Sequence, residues 1–320
     1  FETTSRYADA IRAGREGLRL LGIELPEGGA DLHAAVEAEL SAIRECLGER
    51  PIASVVDLPR ITDRRARQTL KLLMSLWAPA YISGQVELAD LAPARMVRLS
   101  LENGNSEESA FGYGMHATTA GWRLGEYERA YEFGRLAIAL NQRLDDYRLR
   151  AVILHRFAAL TNPWRMPFAT SLPIAQEAVR VALESGSPLV AGYAQFQQTW
   201  YGMQLEPELQ GFLEKYEPVA DYLARVQAHG FLEVQRLMLQ WARALQGRTE
   251  STTGLNGPGF DEAAFLKSFG QGGIFGGFYV TIKLELLVTA GLVPEARAFA
   301  RDQEPMAEVF GSSIWPVLFA

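Results

Sequence analysis

The residues of this chain that are able to do chemistry are few and scattered. His33, His116, His155 and His229 are its four histidines, and none lies four residues from another with a glutamate between them. That spacing is the one by which a helix presents two imidazoles to a zinc ion. Cys46 is the sole cysteine, which excludes an intrachain disulfide and any multi-cysteine metal site, and it is expected to pack beside Ile43. Gly112-Tyr-Gly-Met-His-Ala117 satisfies the relaxed dinucleotide fingerprint Gly-x-Gly-x-x-Ala, but that motif works only after a strand in a βαβ unit, and here it falls inside a helical run. No Gly-x4-Gly-Lys-Ser/Thr loop occurs anywhere, so the phosphate cradle of an ATPase is missing. No cofactor, no metal and no catalytic residue are expected.

Charge clusters divide into two kinds. Glu107-Glu108 and Asp145-Asp146 stand at expected helix starts, where the macrodipole favours negative charge, and need no acid–base role. Arg60, Arg64, Arg65, Arg67 and Lys71 instead crowd the start of a helix, where positive charge is the less favourable sign. Something outside the chain is expected to neutralise them. An acidic partner surface fits better than nucleic acid, because no aromatic residues are interleaved for base stacking. The formal net charge of −7 points the same way.

Positioning these residues requires helices. Tyr7, Ile11, Gly14, Leu18, Leu21 and Leu25 alternate steps of four and three, and Leu32, Val36, Leu40, Ile43 and Leu47 repeat the pattern behind an expected N-cap at Asp31. A third helix opening at Thr62 should bury Leu70, Leu73, Met74, Trp77 and Tyr81. Further helical runs are predicted over 86–102, 107–124, 126–143, 146–162, 169–185, 188–204, 208–229 and 231–246, and no strand is predicted. With 48% hydrophobic and 22% charged residues the chain can build a continuous core. Its most apolar stretch, 276–293, is interrupted by Lys283 and Glu285, so no membrane span is expected. A cytoplasmic setting suits the lone thiol. Phe1 is no initiator methionine and 316–320 carries no helix-stop signal, so both ends are expected to be cuts in a longer polypeptide.

Self-similarity with a period of about 40 residues points to an α-solenoid of helical hairpins. Ala110-Phe-Gly-Tyr113 recurs as Val190-Ala-Gly-Tyr193, and Tyr113, Gly125 and Ala130 share their mutual spacing with Tyr279, Gly291 and Ala296. Leu124-Gly-Glu-Tyr127-Glu-Arg-Ala130, with Ala137 after it, reads like the turn and second helix of a tetratricopeptide repeat. One helical-repeat domain is expected over 1–320, with N-terminal helices and a linker (1–60), hairpins (61–246), a Gly-rich surface insertion (247–277) and a further hairpin (278–320).

Leu18-Arg-Leu-Leu-Gly-Ile23 with Leu25-Pro26, Leu73-Met-Ser-Leu-Trp-Ala-Pro-Ala-Tyr81, Leu99-Ser-Leu-Glu-Asn-Gly-Asn-Ser106 and Tyr127-Glu-Arg-Ala-Tyr-Glu-Phe-Gly134 together resemble a known family. It is the helical region of large bacterial hybrid kinases, in which a serine/threonine kinase and a STAND-type ATPase precede and GAF and histidine-kinase domains follow. Trp164-Arg165 and Ser313-Ile-Trp-Pro-Val-Leu318 are similar too. The resemblance implies a sensor or partner-binding arm within a signalling protein.

By analogy with tetratricopeptide repeats, the first helix of each hairpin lines a concave groove. That places Met115, His116, Thr119, Trp122 and Arg123 there, joined by His155 and, two repeats on, by Gln195, Thr199 and Gly202, with Gln198 and Trp200 close to its edge. Tyr127 and Ala130 are expected between the helices of the hairpin. Such a groove suits a protein partner, a peptide or a small polar ligand. The chain is therefore read as a non-catalytic interaction or sensor module, the alternative being a structural spacer between ATPase and histidine-kinase domains. An open, wet groove around Trp122 and Trp200 favours the sensor, and a filled one the spacer.

Overall fold

The periodic stripes become helices in a computed structural model that describes residues 6–270 and 273–307. The protein is all-helical, with no strand among the described residues. None of its described helices is long and apolar enough to cross a membrane. The contacts group the chain into two compact units that meet in sequence between Arg165 and Met166, where the periodicity suggests one repeat domain.

The first unit holds α1 (Tyr7–Leu20), α2 (Gly29–Leu47), a 3-10 turn (Ile52–Asp57), α3 (Arg64–Ile82), α4 (Val86–Asn103), α5 (Glu107–Trp122), α6 (Tyr127–Leu144) and α7 (Tyr147–Arg156). Ile11, Gly14 and Leu18 of α1 are buried against α3, and the α2 stripe is buried as its spacing requires. Boundaries differ in detail. Asp31 is not a cap, because α2 starts at Gly29 and Asp31 lies in its first turn, where the dipole still favours it. Asp63 caps α3 by accepting from the Arg65 amide, so that helix opens at Arg64 and not at Thr62. The run predicted over 146–162 widens into a π turn at Phe157–Thr161, just before Pro163, whose ring restricts the residue before it.

One loop residue joins three segments. Asn105 is buried, and its side chain donates to the Val55 carbonyl (2.8 Å) and accepts from the Tyr113 hydroxyl (2.9 Å), while its amide donates to the Pro59 carbonyl (2.8 Å). Gly104 makes this approach feasible. Its φ of +101° suits glycine, and a Cβ there would stand 2.4 Å from the Pro59 oxygen. Between α2 and α4 the carboxylate of Glu39, 5% exposed, takes Arg95 Nε at 2.6 Å and Arg98 Nε at 2.5 Å.

The second unit holds α8 (Phe168–Glu184), α9 (Pro188–Leu205), α10 (Leu209–Arg225), α11 (His229–Leu245), α12 (Glu262–Phe269), α13 (Gly273–Thr289) and α14 (Val293–Ala307). Successive helices pack in pairs, α8 on α9, α10 on α11 and α13 on α14. The expected surface insertion 247–277 is corrected in two ways. Its last residues form the first turn of α13, where Phe275 packs so close to Gly230 that a Cβ there would meet the ring at 2.4 Å. Its middle is core, with Leu255, Phe260 and Phe265 all buried. Burial of these apolar side chains holds the segment down despite its glycines. Ser313 to Leu318 lie outside the described residues.

The two matched triplets share a local setting. Gly125 and Gly291 turn with φ of +65° and +76°, and Tyr113, Tyr279, Ala130 and Ala296 are buried. Tyr127 departs from expectation. At the first position of α6 it lies at the helix edge, 41% exposed, and stacks on Trp164 at 5.1 Å. Ala130 is 2% exposed, and its Cβ would be 3.4 Å from a Cβ on Gly121. Ala130→Trp should therefore overpack the α5–α6 crossing at a cost of about 1–3 kcal/mol. Urea melts measure it, and an unshifted midpoint would mean that the crossing has room.

Candidate functional site

Helix α5 packs against α3, α4, α6 and α7, so it has no free face. Met115, His116 and Thr119 are consequently buried, at 0%, 3% and 2% exposure, and do not line an open groove. Trp122 is half-buried, and His155 on α7 is buried at 4%. The small residues Gly112, Gly114, Ala117, Ala120 and Gly121 carry the signal that was missed. A helix that is small or apolar all round is a central one. Gly112 would bring a Cβ to 2.8 Å from Met96, so the glycine-rich hexapeptide serves helix packing.

At the C-terminal end of α5 the structure assembles a polar junction from three helices. Thr119 donates to Asp90 Oδ1 on α4 at 2.7 Å, and Arg123 reaches Asp90 Oδ2 with Nη1 at 3.4 Å. The Nη2 of Arg123 lies 3.0 Å from His33 Nδ1 and 3.2 Å from Glu37 Oε1, both on α2. Sequence reasoning placed Thr119 and Arg123 together but missed Asp90, His33 and Glu37, which lie some 30 to 90 residues away. Arg123 is thus a bridge between helices and not an open groove residue.

In the second unit Gln195 and Gln198 are half-buried. Trp200 is 4% exposed and packs edge-on against Phe278 at 5.2 Å. The unit's open feature lies elsewhere, in a cleft of about 720 Å3 between α11, the 250–261 segment and α12. Glu233, Glu250 and Asp261 supply carboxylates, each with one oxygen already engaged, by Arg236, by Asn256 Nδ2 and by the Ala264 amide, and Phe260, Phe265 and Phe269 supply aromatic wall. The wall is pinned from behind. Glu262 Oε1 accepts from Tyr279 Oη and Lys283 Nζ, both at 2.8 Å, and Lys283 also donates to the Thr253 carbonyl. A cavity of about 870 Å3 in the first unit is lined by Arg12, Arg15 and Arg19. These cations are already engaged, Arg15 by the carbonyls of Leu25 and Pro26, Arg12 by Asp9 and Arg19 by Glu16.

The basic cluster is partly neutralised from within the chain, where an outside partner was expected. Arg60 and Arg67 share the carboxylate of Glu107, and Arg65 donates to the Leu21 carbonyl, Nε at 3.0 Å and Nη2 at 2.6 Å. Arg64 and Lys71 are exposed, with no carboxylate at ion-pair distance among the described residues. Cys46 is exposed and not packed in the core, since Leu47 takes the buried position of the stripe. Compared with protein-family models and with curated proteins, the chain matches none of them.

Burial raises the Asp90 carboxyl to about 6, against the pull of Thr119 and Arg123 and with a small push from Glu87. Its charged form is thus disfavoured in the fold, and the stability this group gives at low pH is lost as pH rises through 6. Burial acts oppositely on the two histidines, lowering His116 to about 3, aided by Arg129 and Arg44, and His155 well below the ordinary value. Their unfolded forms take up protons first, so they remove stability as pH falls below about 6.5. Glu285, which burial also raises, acts with Asp90, but the two histidines titrate over the whole interval, and the protein should be less stable at pH 5 than at pH 7.5. Asp90→Asn removes one opposing group and should lose about 1.4 kcal/mol more than wild type over that interval. Urea melts at both pH values decide it, and equal losses would show that Asp90 stays ionised at pH 5.

Proposed function

We propose that the chain is a non-catalytic interaction module, an array of tetratricopeptide-like hairpins serving a larger signalling kinase of the kind its sequence resembles, and that it binds partners through its surface. The observation that carries this reading is the cleft of the second unit. It joins a carboxylate rim to an aromatic wall (Phe260, Phe265, Phe269), a combination that receives a lysine or arginine head together with its apolar stem. Its volume of about 720 Å3 is that of a ligand pocket. The matched settings of Gly125 and Gly291 support the hairpin array.

The spacer reading has its own support, because Trp200 is covered by Phe278 and α5 is enclosed on every side. The two readings part at the cleft, which a spacer does not need. Ser268 and Ala264 line it and are exposed. Ser268→Arg places a cation among the carboxylates at little cost to stability, on the order of 0.5 kcal/mol or less. A synthetic peptide alternating lysine with phenylalanine should bind the wild-type chain and bind this variant at least tenfold more weakly. Equal affinity for the two proteins would sink the cleft as a site.

For catalysis, the missing phosphate loop motivates a second test. Purified chain titrated with Mg-ATP should give no binding heat and no phosphate release. Turnover that persists through successive purification steps would overturn the non-catalytic reading.

A further inference from the structure

The exposed cations of α3 form a stripe that the fold does not require. Arg64, Arg67 and Lys71 are spaced three and four residues apart, so they share one face over about 10 Å of helix. Leu70, Leu73 and Trp77 occupy the opposite, buried face. Arg60, in the preceding loop, joins the stripe through Glu107, which it shares with Arg67. Four cations therefore stand here against the carboxylates of Glu107 and of Asp63, the exposed N-cap beside Arg64. Positive charge in the first turn of a helix opposes the macrodipole, so Arg64 gains nothing from it, and Lys71, two turns in, lies beyond its reach.

We propose that this stripe docks an acidic segment of a protein partner, carboxylate by carboxylate. Glu107 already shows the mode of recognition, since its two oxygens take Arg60 and Arg67 Nη2, the latter at 3.1 Å. Separate carboxylates of one acidic segment would meet Arg64, at the start of the helix, and Lys71, about 10 Å farther along it. Guanidinium groups match the planar carboxylate, and their hydrogen bonds to it are charge-assisted. Duplex nucleic acid fits poorly. The stripe is short, the aromatic residues of α3 are inside or stacked on one another, as Trp77 and Tyr81 are at 4.9 Å, and the whole chain carries −7. The inference rests on the interaction-module reading in general but uses a different surface from the cleft.

Fluorescence anisotropy with a labelled twelve-residue glutamate-rich peptide tests it. Wild-type protein should bind, more weakly as salt is raised from 50 to 300 mM. The double variant Arg64→Ala, Lys71→Ala should bind at least tenfold more weakly with an unchanged melt, because both side chains are exposed. The charge-preserving pair Arg64→Lys, Lys71→Arg should retain binding, and Ser268→Arg should leave it intact. Undiminished binding by the alanine variant overturns the proposal, as does displacement of the peptide by a DNA duplex at lower concentration. Sedimentation showing that the stripe joins two copies of the chain overturns it as well. If the glutamate-rich peptide fails while the lysine-phenylalanine peptide still binds, the stripe falls and the cleft stands.

Discussion

Close approach of helices at positions without a side chain is the constraint on which the architecture depends. A Cβ at Gly202 would stand 2.3 Å from the ring of Tyr216, and one at Gly134 would stand 2.5 Å from Phe157. Real Cβ atoms do not come so near, so each glycine fixes how deeply the neighbouring ring enters. An aromatic ring seated on backbone buries more apolar area than any aliphatic side chain could at that spacing. The second unit's core is accordingly rich in aromatic side chains, while the first unit's is mainly Leu, Ile, Val and Ala.

While Thr118 Oγ1 and Gln235 Oε1 have no hydrogen-bond partner among the described residues, other polar groups of the interior find theirs inside. Glu39 does so with Arg95 and Arg98, Asn105 with Val55, Pro59 and Tyr113, and Gln235 Nε2 with the Tyr216 carbonyl. Such contacts add little net energy, but removing one member leaves the others desolvated, which costs several kcal/mol for a charge. They therefore select one helix register over its neighbours. The Asp90 junction belongs to this set: Arg123 can satisfy α2 and α4 at once only from the end of α5. Chemistry-bearing residues that the spacing singles out, Met115, His116 and Thr119 among them, are spent on packing.

Local structure was legible because helical periodicity is local. The helices α2, α4, α8 and α9 lie within a few residues of their predicted runs, and Gly125 turns where the spacing placed it. Which helix becomes central is a property of the assembly, and α5 was misread for that reason. Met115, His116, Thr119, Trp122 and Arg123 are placed on a concave face by the repeat analogy, whereas the small residues of α5 let neighbours pack on every side. The segment 247–277 misled through its glycines, whose backbone freedom looks like a surface loop although Leu255, Phe260 and Phe265 between them are core. The cleft was beyond sequence reasoning altogether. Its carboxylates come from Glu233, Glu250 and Asp261, and no local pattern announces that three such residues share a rim.

The two proposed surfaces differ in how a partner would reach them. At physiological salt a charge is felt over about 8 Å, so a partner at longer range meets the average of the surface it faces rather than a single cluster. With a net charge of −7 that average is negative, and a cationic ligand is drawn toward the acidic cleft from many directions. An acidic segment is repelled until it lies within roughly one screening length of α3, where the local surplus of Arg64 and Lys71 takes over. Association at the stripe is therefore slower and more selective for orientation than association at the cleft. Raising salt weakens the contacts at both surfaces, but it also relieves the long-range repulsion of the acidic partner. Its association rate should fall less steeply with salt than its affinity does, whereas for a steered cationic ligand rate and affinity fall together.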